Sequence, residues 1–162
     1  MISLKSLLVS ISLCLLCYNL ISKTIEVGVD GSKECSTIQA AVNIVDAGDT
    51  IKIYSGIYNE AVTISTSGSL EKPITIMAVK DTLAIIDGTG FFYDPVSQWG
   101  EGLIKGSWGV QFINIIGLKV QNSQAAGIMF TGGNNIHISK CKTFNTFSSG
   151  IGVWESSSIT ID

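Results

Sequence analysis

Hydrophobic and polar positions alternate in the second half of the chain, and the alternation repeats with a step of 23 residues. Two rows of isoleucine keep this step: Ile113, Ile136 and Ile159 in the first, and Ile115, Ile138 and Ile161 in the second. Short alternations at a fixed period indicate a solenoid, in which each repeat is one coil stacked on the preceding coil. The sequence therefore predicts that like side chains lie over like in successive coils.

Each predicted coil contains three short apolar segments separated by turns. In the first coil with a clear pattern, the predicted inward positions are Ile113, Ile115, Leu118, Val120, Ile128 and Phe130, and the turn positions are Gly117 and Asn122. Three β-branched segments per coil predict an all-β, parallel β-helix with about 23 residues per coil. A left-handed hexapeptide helix needs six-residue steps and leucine-rich repeats need one leucine-rich strand per repeat, and neither pattern is present.

The chain before residue 50 follows a different pattern. A short strand is predicted over 24–29. Ser36 and Gln39 then fit a capping box, in which the serine hydroxyl accepts from a backbone amide and the glutamine reaches back. Apolar residues follow at spacings of three and four, and they are Ile38, Ala41, Val42 and Val45. This spacing predicts a short helix with one apolar face.

The alternating pattern begins at Thr50. One period later we expect three correspondences: Ile74 over Ile51, Ile76 over Ile53, and Ile85 close to the position of Val62. The separation between Ile74 and Ile113 exceeds one period, and the surplus fits residues 87–102, which are rich in glycine and aromatic residues. We therefore predict a loop inserted at 87–102 in an otherwise regular stack.

Six segments together resemble a known family. They are residues 36–42 (STIQAAV), 47–53 (AGDTIKI), 56–60 (GIYNE), 72–76 (KPITI), 85–88 (IIDG) and 115–120 (IIGLKV). They resemble the N-terminal part of secreted right-handed parallel β-helix proteins of the pectate-lyase-like superfamily, including the chondroitinase-B-like and alginate-lyase-like polysaccharide lyases. The resemblance implies a right-handed domain over 23–162, with a cap at 23–49 and coils at 50–162.

The resemblance also gives the predicted helix a role, because such proteins cover the open N-terminal end of the stack with a short amphipathic helix. Terminal coils need a cap, since their apolar interior would otherwise meet water. No second capping element is recognisable before Asp162. We therefore expect the β-helix to be incomplete at its C-terminal end, and we expect the isolated fragment to aggregate through its exposed strand edges.

The first residues form a separate segment. One lysine is followed by an apolar run over 7–16, which is shorter than the roughly 20 residues of a membrane span. This pattern predicts a signal peptide at 1–22, an exported protein that is secreted, periplasmic or on the cell surface, and no membrane span after its removal. An uncleaved anchor is the alternative.

Charge and cysteine content narrow the partners. The chain has 10 basic residues, all lysine, against 13 acidic residues, for a net charge of −3. Without arginine, the bidentate fork that favours phosphate and guanine is missing, which argues against a nucleic-acid partner. Cys141 takes the inward position of Leu118 one coil later, so a packed thiol is favoured over a disulfide with Cys35.

The resemblance implies the function. It points to binding of an acidic polysaccharide or its cleavage by β-elimination, with calcium held by carboxylates and with a Lys or Arg as the base. In the predicted loop, Tyr93 and Trp99 can stack on sugar rings, and Asp94 and Glu101 can ligate calcium. The alternative is that the loop folds back and buries its own aromatic rings. Whether this chain is itself an enzyme stays open, since the matched motifs serve capping and packing.

Five further residues are candidates on the coils. Lys119 and Lys142 are one period apart and are expected to stack, either to attract an anionic glycan or as ordinary solvated charge. His137, the one histidine of the chain, is either a substrate-binding group or a solvated strand residue. Asn122 and Asn145 are expected to form a structural ladder, in which stacked amides satisfy polar groups of the turns.

Two other functions remain open at this stage. The first is a non-catalytic surface or adhesion β-helix that binds glycans or a protein. The second is a glycoside hydrolase, which requires two suitably separated carboxyl groups, and no such pair is recognisable in the sequence.

Overall fold

A computed structural model describes residues 21–80, 83–92 and 99–162. The predicted signal peptide therefore lies outside the described residues, apart from its last two positions. Within the described part, no helix has the length and apolar character needed to cross a membrane.

Three parallel sheets build the fold. Sheet A contains β1 (Thr24–Val27), β2 (Thr50–Ile53), β5 (Ile74–Ala78), β8 (Gln111–Ile116), β11 (Asn134–Ser139) and β14 (Ser157–Ile161), paired in that order. Sheet B contains β3 (Gly56–Tyr58), β6 (Ala84–Asp87), β9 (Lys119–Ser123) and β12 (Lys142–Thr146). Sheet C contains β4 (Val62–Ile64), β7 (Gly102–Gly106), β10 (Ala126–Thr131) and β13 (Ile151–Trp154). The chain visits A, B and C in turn, which confirms the predicted parallel β-helix.

The register of the later coils matches the 23-residue period. Ile113 pairs with Ile136, which pairs with Ile159, and the row of Ile115, Ile138 and Ile161 is equally in register. Ile113, Ile115 and Ile138 have no exposed surface. The stacked rows therefore form the core, as β-branched side chains pack well on a pleated surface.

The register of the first coils differs from the prediction. Ile51 pairs with Ile76, and Ile53 pairs with Ala78, so Ile74 does not lie over Ile51. The step is two residues longer here because the chain makes an additional tight turn, in which the amide of Ser69 and the carbonyl of Lys72 lie 2.9 Å apart. The predicted register of this pair of strands was therefore wrong by two residues. Because side chains alternate with a period of two, the shift leaves isoleucine on the inner face.

The predicted position of Ile85 near Val62 was also wrong. Ile85 pairs with Ile57 in sheet B, whereas Val62 pairs with Ile104 in sheet C. Two short strands that the alternation did not reveal, β3 and β7, account for the difference. Strand β6 ends at Asp87 and β7 begins at Gly102. Residues 93–98 between them lie outside the described residues, so the inserted loop stays a prediction.

The short helix α1 (Ile38–Asn43) covers the N-terminal end of the stack. Its N-cap is Thr37, whose hydroxyl accepts from the amide of Ala40 at 3.2 Å, and not Ser36 as predicted. The predicted capping box is replaced by a tertiary contact, because the Glu60 carboxylate accepts from the amides of Ile38 and Gln39 at 2.8 and 2.9 Å. An acidic group at a helix N-terminus is the favourable placement.

The Gln39 side chain, which was expected to reach back to the cap, binds the first strand of sheet C. Its Oε1 accepts from the Thr63 amide at 2.7 Å, and its Nε2 donates to the Thr63 carbonyl at 3.3 Å. The amide thereby imitates a neighbouring strand and closes the edge of β4. The apolar face of the helix, formed by Ile38, Ala41 and Val42, is buried on the core.

The turns keep the same conformation from coil to coil. Asn122 and Asn145 both have φ near +55°, with values of 58° and 51°. This left-handed conformation is tolerated by asparagine better than by most residues. Gly127 is required for another reason, since a Cβ there would lie 2.7 Å from the carbonyl oxygen of Gly150 in the next coil.

Both described cysteines are free. Cys141 packs against the core below its expected row partner Leu118, and burial raises the pKa of its thiol. A packed thiol was the prediction for this position.

Candidate functional site

A shallow groove runs across the outer face of sheet A. The cavity has a volume of about 340 Å³, and its polar lining residues are Asn114, Asn135, His137, Ser158 and Thr160. We call it the sheet A groove. These side chains come together because Asn114, His137 and Thr160 occupy one outward row of three neighbouring strands. The groove therefore offers hydroxyl, amide and imidazole groups in a fixed line.

His137 is held at one position of this groove by an acidic residue. Its Nε2 lies 3.0 Å from Oδ1 of Asp162, and both side chains are partly exposed. Hydrogen bonds from His137 and then from Ser139 hold the pKa of the Asp162 carboxyl below its usual range. Because Nε2 faces this carboxylate, Nδ1 is the ring nitrogen of His137 that can hydrogen-bond a bound molecule.

Lysines lie at the corner where sheet A turns into sheet B. Lys119 and Lys142 are direct neighbours in register, at the start of β9 and β12. Lys140 occupies the preceding turn with φ of 55°. We call Lys119, Lys140 and Lys142 the lysine row. Within the described parts of the chain, none of the three forms an ion pair with a carboxylate. The row is thus a set of positive charges available to an anionic ligand.

An amide ladder lies at the opposite corner, where sheet B turns into sheet C. Asn145 Nδ2 donates to Asn122 Oδ1 at 2.8 Å. Asn122 Nδ2 in turn lies 3.1 Å from Oδ1 of Asp87 and 3.2 Å from the hydroxyl oxygen of Thr89. The two asparagines therefore bond mainly to side chains of neighbouring coils. The structural role of the two asparagines stays a prediction. The hydrogen-bonded ladder also includes Asp87.

Asp87 is the anchor of this ladder, and the sequence analysis did not single it out. Burial raises the pKa of its carboxyl, but hydrogen bonds from Thr89, Gln121 and Asn122 outweigh this effect and hold the pKa far below the usual range. The shortest joins the Thr89 hydroxyl to Oδ1 of Asp87 at 2.6 Å. Its position in the motif of residues 85–88 was visible in the sequence, but its partners are up to 35 residues away.

A cavity of about 870 Å³ opens beside the ladder. Its lining includes the side chains of Thr89, Asn122, Gln124, Asn145, Thr146 and Phe147. We call it the ladder groove. Phe147 also borders a second, more apolar cavity of about 520 Å³, which is lined by Trp99, Met129 and Trp154 among others. Trp99, a predicted sugar-stacking residue, is exposed at this second cavity.

Of the two residues predicted to bind calcium, Glu101 lies in the described part of the chain and Asp94 does not. Lys105 Nζ lies 2.9 and 2.7 Å from the two carboxylate oxygens of Glu101, so an ammonium already occupies the position of a cation. Asp94 and Tyr93 lie outside the described residues. Among residues 21–80, 83–92 and 99–162, no three His, Cys, Asp or Glu side chains are grouped as a metal site.

The structure brings together some of the predicted site residues and separates others. Lys119 lies beside Lys142, and Asn122 beside Asn145, while His137 lies on the outer face of sheet A and Trp99 borders the cavity next to sheet C. Phe147 and Gln124 were missed, because an exposed aromatic and an amide in short turns give no periodic pattern. These candidates therefore form separate surfaces and no single catalytic cluster.

A family model for the Pel9A-like right-handed β-helix region matches residues 21–161. The chain belongs to this Pel9A-like family. The match covers all of the described coils and agrees with the three parallel sheets, so the resemblance to pectate-lyase-like β-helix proteins is confirmed.

Among solved structures, this Pel9A-like chain is similar to a rhamnogalacturonan lyase, with a TM-score of 0.61 and 18% sequence identity. The match covers 77% of this chain and 36% of the lyase, so the chain spans about a third of the length of that protein. At this identity the likeness concerns the fold alone. The search of curated proteins returned no significant match.

Proposed function

We propose that this protein is an exported β-helix protein that binds an acidic polysaccharide, and that the lysine row is where the carboxylates of the polymer contact it. The observation that carries the proposal is the register of Lys119 and Lys142 on adjacent strands. Neighbouring strands lie about 4.7–4.9 Å apart, so the backbone positions that carry the two lysine side chains repeat along the stack at this interval. A polyanion can contact both at once.

The charge of the row supports an acidic ligand over a neutral one. Like charges placed directly opposite each other on neighbouring strands are destabilising, and among the described residues no carboxylate forms an ion pair with Lys119 or Lys142. A polymer carboxylate placed between Lys119 and Lys142 removes this repulsion. The arrangement is therefore most stable with an anion bound.

The sheet A groove supplies the neutral contacts of the same proposal. Only the short turn between β8 and β9, and between β11 and β12, separates it from the lysine row. Asn114, His137 and Thr160 there can hydrogen-bond the hydroxyl groups of a sugar chain. A polymer lying across this corner would place its carboxylates on the lysines and its hydroxyls in the groove.

Cleavage is proposed for the whole protein and not for this chain alone. In a β-elimination, a base removes the proton next to the uronate carboxyl group, the bond to the leaving sugar oxygen breaks, and an unsaturated sugar results. Two findings support such chemistry: membership of the Pel9A-like family, and the likeness to a rhamnogalacturonan lyase, of which the chain spans 36%. The present coils would act as cap, scaffold and polymer-binding surface.

A second candidate function is a non-catalytic glycan-binding protein of the cell surface. Three exposed aromatic side chains favour it: Phe144 on β12, Phe147 in the turn after β12, and Trp154 at the end of β13. Such side chains bind sugars by stacking and need no catalytic group.

Affinity electrophoresis tests the proposal. The protein is run through gels that contain polygalacturonate, alginate or uncharged galactan, and its retardation is measured. We expect retardation by at least one acidic polymer, and loss of that retardation in the Lys119→Gln, Lys142→Gln double variant. The double variant Lys52→Gln, Lys80→Gln has the same change in charge and serves as control, because neither lysine forms an ion pair among the described residues. Migration that no acidic polymer alters would overturn the proposal.

Ultraviolet absorbance of the unsaturated product separates the two candidate functions. The same polymers are incubated with the protein, with and without added calcium. Growth of the absorbance supports cleavage, while retardation without product supports the non-catalytic glycan-binding function.

A further inference from the structure

The ladder groove is a candidate binding site in its own right. It lies at the corner between sheets B and C, at the far ends of the strands whose first residues carry the lysine row. Its volume of about 870 Å³ falls within the range of about 300–1,000 Å³ that small-molecule sites occupy. The groove is therefore large enough for a sugar ring, and it does not overlap the surface proposed for the acidic polymer.

The polar wall of the groove is held in place before any ligand arrives. Asn145 is bonded to Asn122 at 2.8 Å, and Asn122 is bonded to Thr89 at 3.2 Å. Asp87 anchors the chain through Thr89 and Gln121, with distances of 2.6 and 2.7 Å. Because these side chains are already ordered, binding a ligand costs little further side-chain entropy.

The same amides retain capacity for a ligand. A primary amide carries two N–H donors and a carbonyl with two lone pairs, and the contact between Asn145 and Asn122 uses one donor and one lone pair. The exposed Gln124 and the hydroxyl of Thr146 add further donors and acceptors at the rim. Paired donors and acceptors of this kind match the hydroxyl groups of a sugar.

Phe147 supplies the apolar wall. Its side chain is 72% exposed, although its backbone is fixed by a hydrogen bond of 2.9 Å from its amide to the Ser123 carbonyl. An exposed aromatic ring beside ordered amides offers a stacking face for the C–H side of a sugar ring. The surface continues past Phe147 toward Met129 and Trp154.

Charge decides the class of sugar. The Asp87 carboxylate lies directly behind Asn122 and Thr89, and its depressed pKa keeps it ionised. A uronate in the groove would meet this negative charge without a described cation in the groove lining. An uncharged sugar avoids that repulsion.

We propose that the ladder groove binds an uncharged sugar ring of a glycan, with Phe147 stacking on the ring and with Asn145, Gln124 and Thr146 binding its hydroxyl groups. This site acts independently of the lysine row. The protein thereby contacts a glycan that contains both acidic and neutral sugars at two corners of one sheet.

Calorimetric titration with two uncharged probes, β-1,4-linked galactohexaose and cellohexaose, tests the proposal. We expect saturable binding of at least one probe. Phe147→Ala should weaken it about fivefold, because the variant loses the aromatic stacking face. Phe144→Ala is the matched control, because Phe144 is similarly exposed, at 66%, but does not line the groove. This control should change the affinity less than twofold. Phe147→Tyr, which keeps an aromatic ring at the position, should bind the probe about as tightly as the unmodified protein.

Nuclear magnetic resonance places the contact. Side-chain amide signals of Asn145 and Gln124 should shift when the bound probe is added to the unmodified protein. The absence of binding by both probes, or an equal effect of Phe144→Ala and Phe147→Ala, would overturn the proposal. Lys119→Gln, Lys142→Gln should leave the neutral probe bound, so failure of the acidic-polymer proposal is seen separately.

Discussion

The two ends of the sheet B strands carry opposite chemistry on the same scaffold. At the first end, Lys119 and Lys142 stack as like charges, and at the other end Asn122 and Asn145 stack as amides. A β-helix places equal residues over each other, so a stacked amide gains a hydrogen bond from its copy, whereas a stacked lysine gains only repulsion. The stacked asparagines are therefore stabilised by the hydrogen bond between them, whereas the stacked lysines are stabilised only when an anion binds.

The largest expected effect breaks the scaffold that both ends share. Ile136→Ala removes a fully inward side chain between Ile113 and Ile159, and we expect it to lower the free energy of unfolding by about 2–5 kcal/mol. Thermal or denaturant unfolding measures this loss. Thr160→Ala, on the outer face of the next strand, is the control and should change stability by less than about 0.5 kcal/mol. Equal effects of both substitutions would contradict the inward row.

The next effect concerns the amide end alone. Asp87→Asn removes the charge that anchors the ladder, and hydrogen bonds to a charged group contribute about 1.5–3 kcal/mol. Because Asp87 is partly exposed, we expect a loss below this range, about 1 kcal/mol, measured by denaturant unfolding at neutral pH. A variant as stable as the unmodified protein would show that the anchor is dispensable.

The same anchor predicts a dependence on pH. The folded pKa of Asp87 is depressed, so its stabilisation is present above the unfolded pKa of about 3.9 and is lost as the pH falls toward the folded pKa. The unmodified protein should therefore lose more stability below about pH 4 than Asp87→Asn. Parallel unfolding curves of both proteins between neutral and acidic pH check this, and curves that fall equally would contradict it.

Another pair of substitutions at the amide end separates the contribution of the Asn145 amide from that of its backbone conformation. Asn145→Ala loses the bond to Asn122 and also places alanine at a φ of 51°, with an expected cost of about 1–2 kcal/mol. Asn145→Gly loses the same bond but tolerates the conformation, so it should cost less than alanine by several tenths of a kcal/mol. The unfolding midpoints of the two variants measure this difference. If Asn145→Ala were more stable than Asn145→Gly, the ladder geometry would be contradicted.

The smallest effect has the opposite sign at the charged end. Lys119→Gln, Lys142→Gln should stabilise the free protein by about 0.2–1 kcal/mol, because it removes repulsion between neighbours on adjacent strands. The same double variant should lose the stabilisation that acidic polymer gives the unmodified protein. Melting curves with and without polygalacturonate measure both changes, and a destabilised free variant would show that the lysines are held by other contacts.

Much of the fold could be predicted from the sequence, because coils of constant length repeat a visible pattern. The rows of Ile113 and Ile115 were predicted correctly for this reason. The register between β2 and β5 was not, since an additional turn at 69–72 adds two residues without changing the alternation. The strands β3 and β7 were missed because they are short and begin at glycine.

The candidate site could be predicted only where it follows the period. Lys119 with Lys142 and Asn122 with Asn145 are pairs that the 23-residue step alone identifies. Asp87 was missed because an insertion separates it from its partners. Phe147 lies in a turn of irregular sequence, and only the three-dimensional arrangement places it beside the amides.

Calorimetric titration of hexagalacturonate into the unmodified protein and into Lys119→Gln, Lys142→Gln is the most direct test of the central claim, that the lysine row binds acidic polymer. The methyl-esterified hexasaccharide, which has the same length and no charge, is the reference ligand. We predict binding that weakens with added salt, and that falls about tenfold in the variant, or about 1.4 kcal/mol. Two results would contradict the account. The first is equal affinity of the two proteins for hexagalacturonate, and the second is equal affinity of the unmodified protein for hexagalacturonate and for its methyl ester.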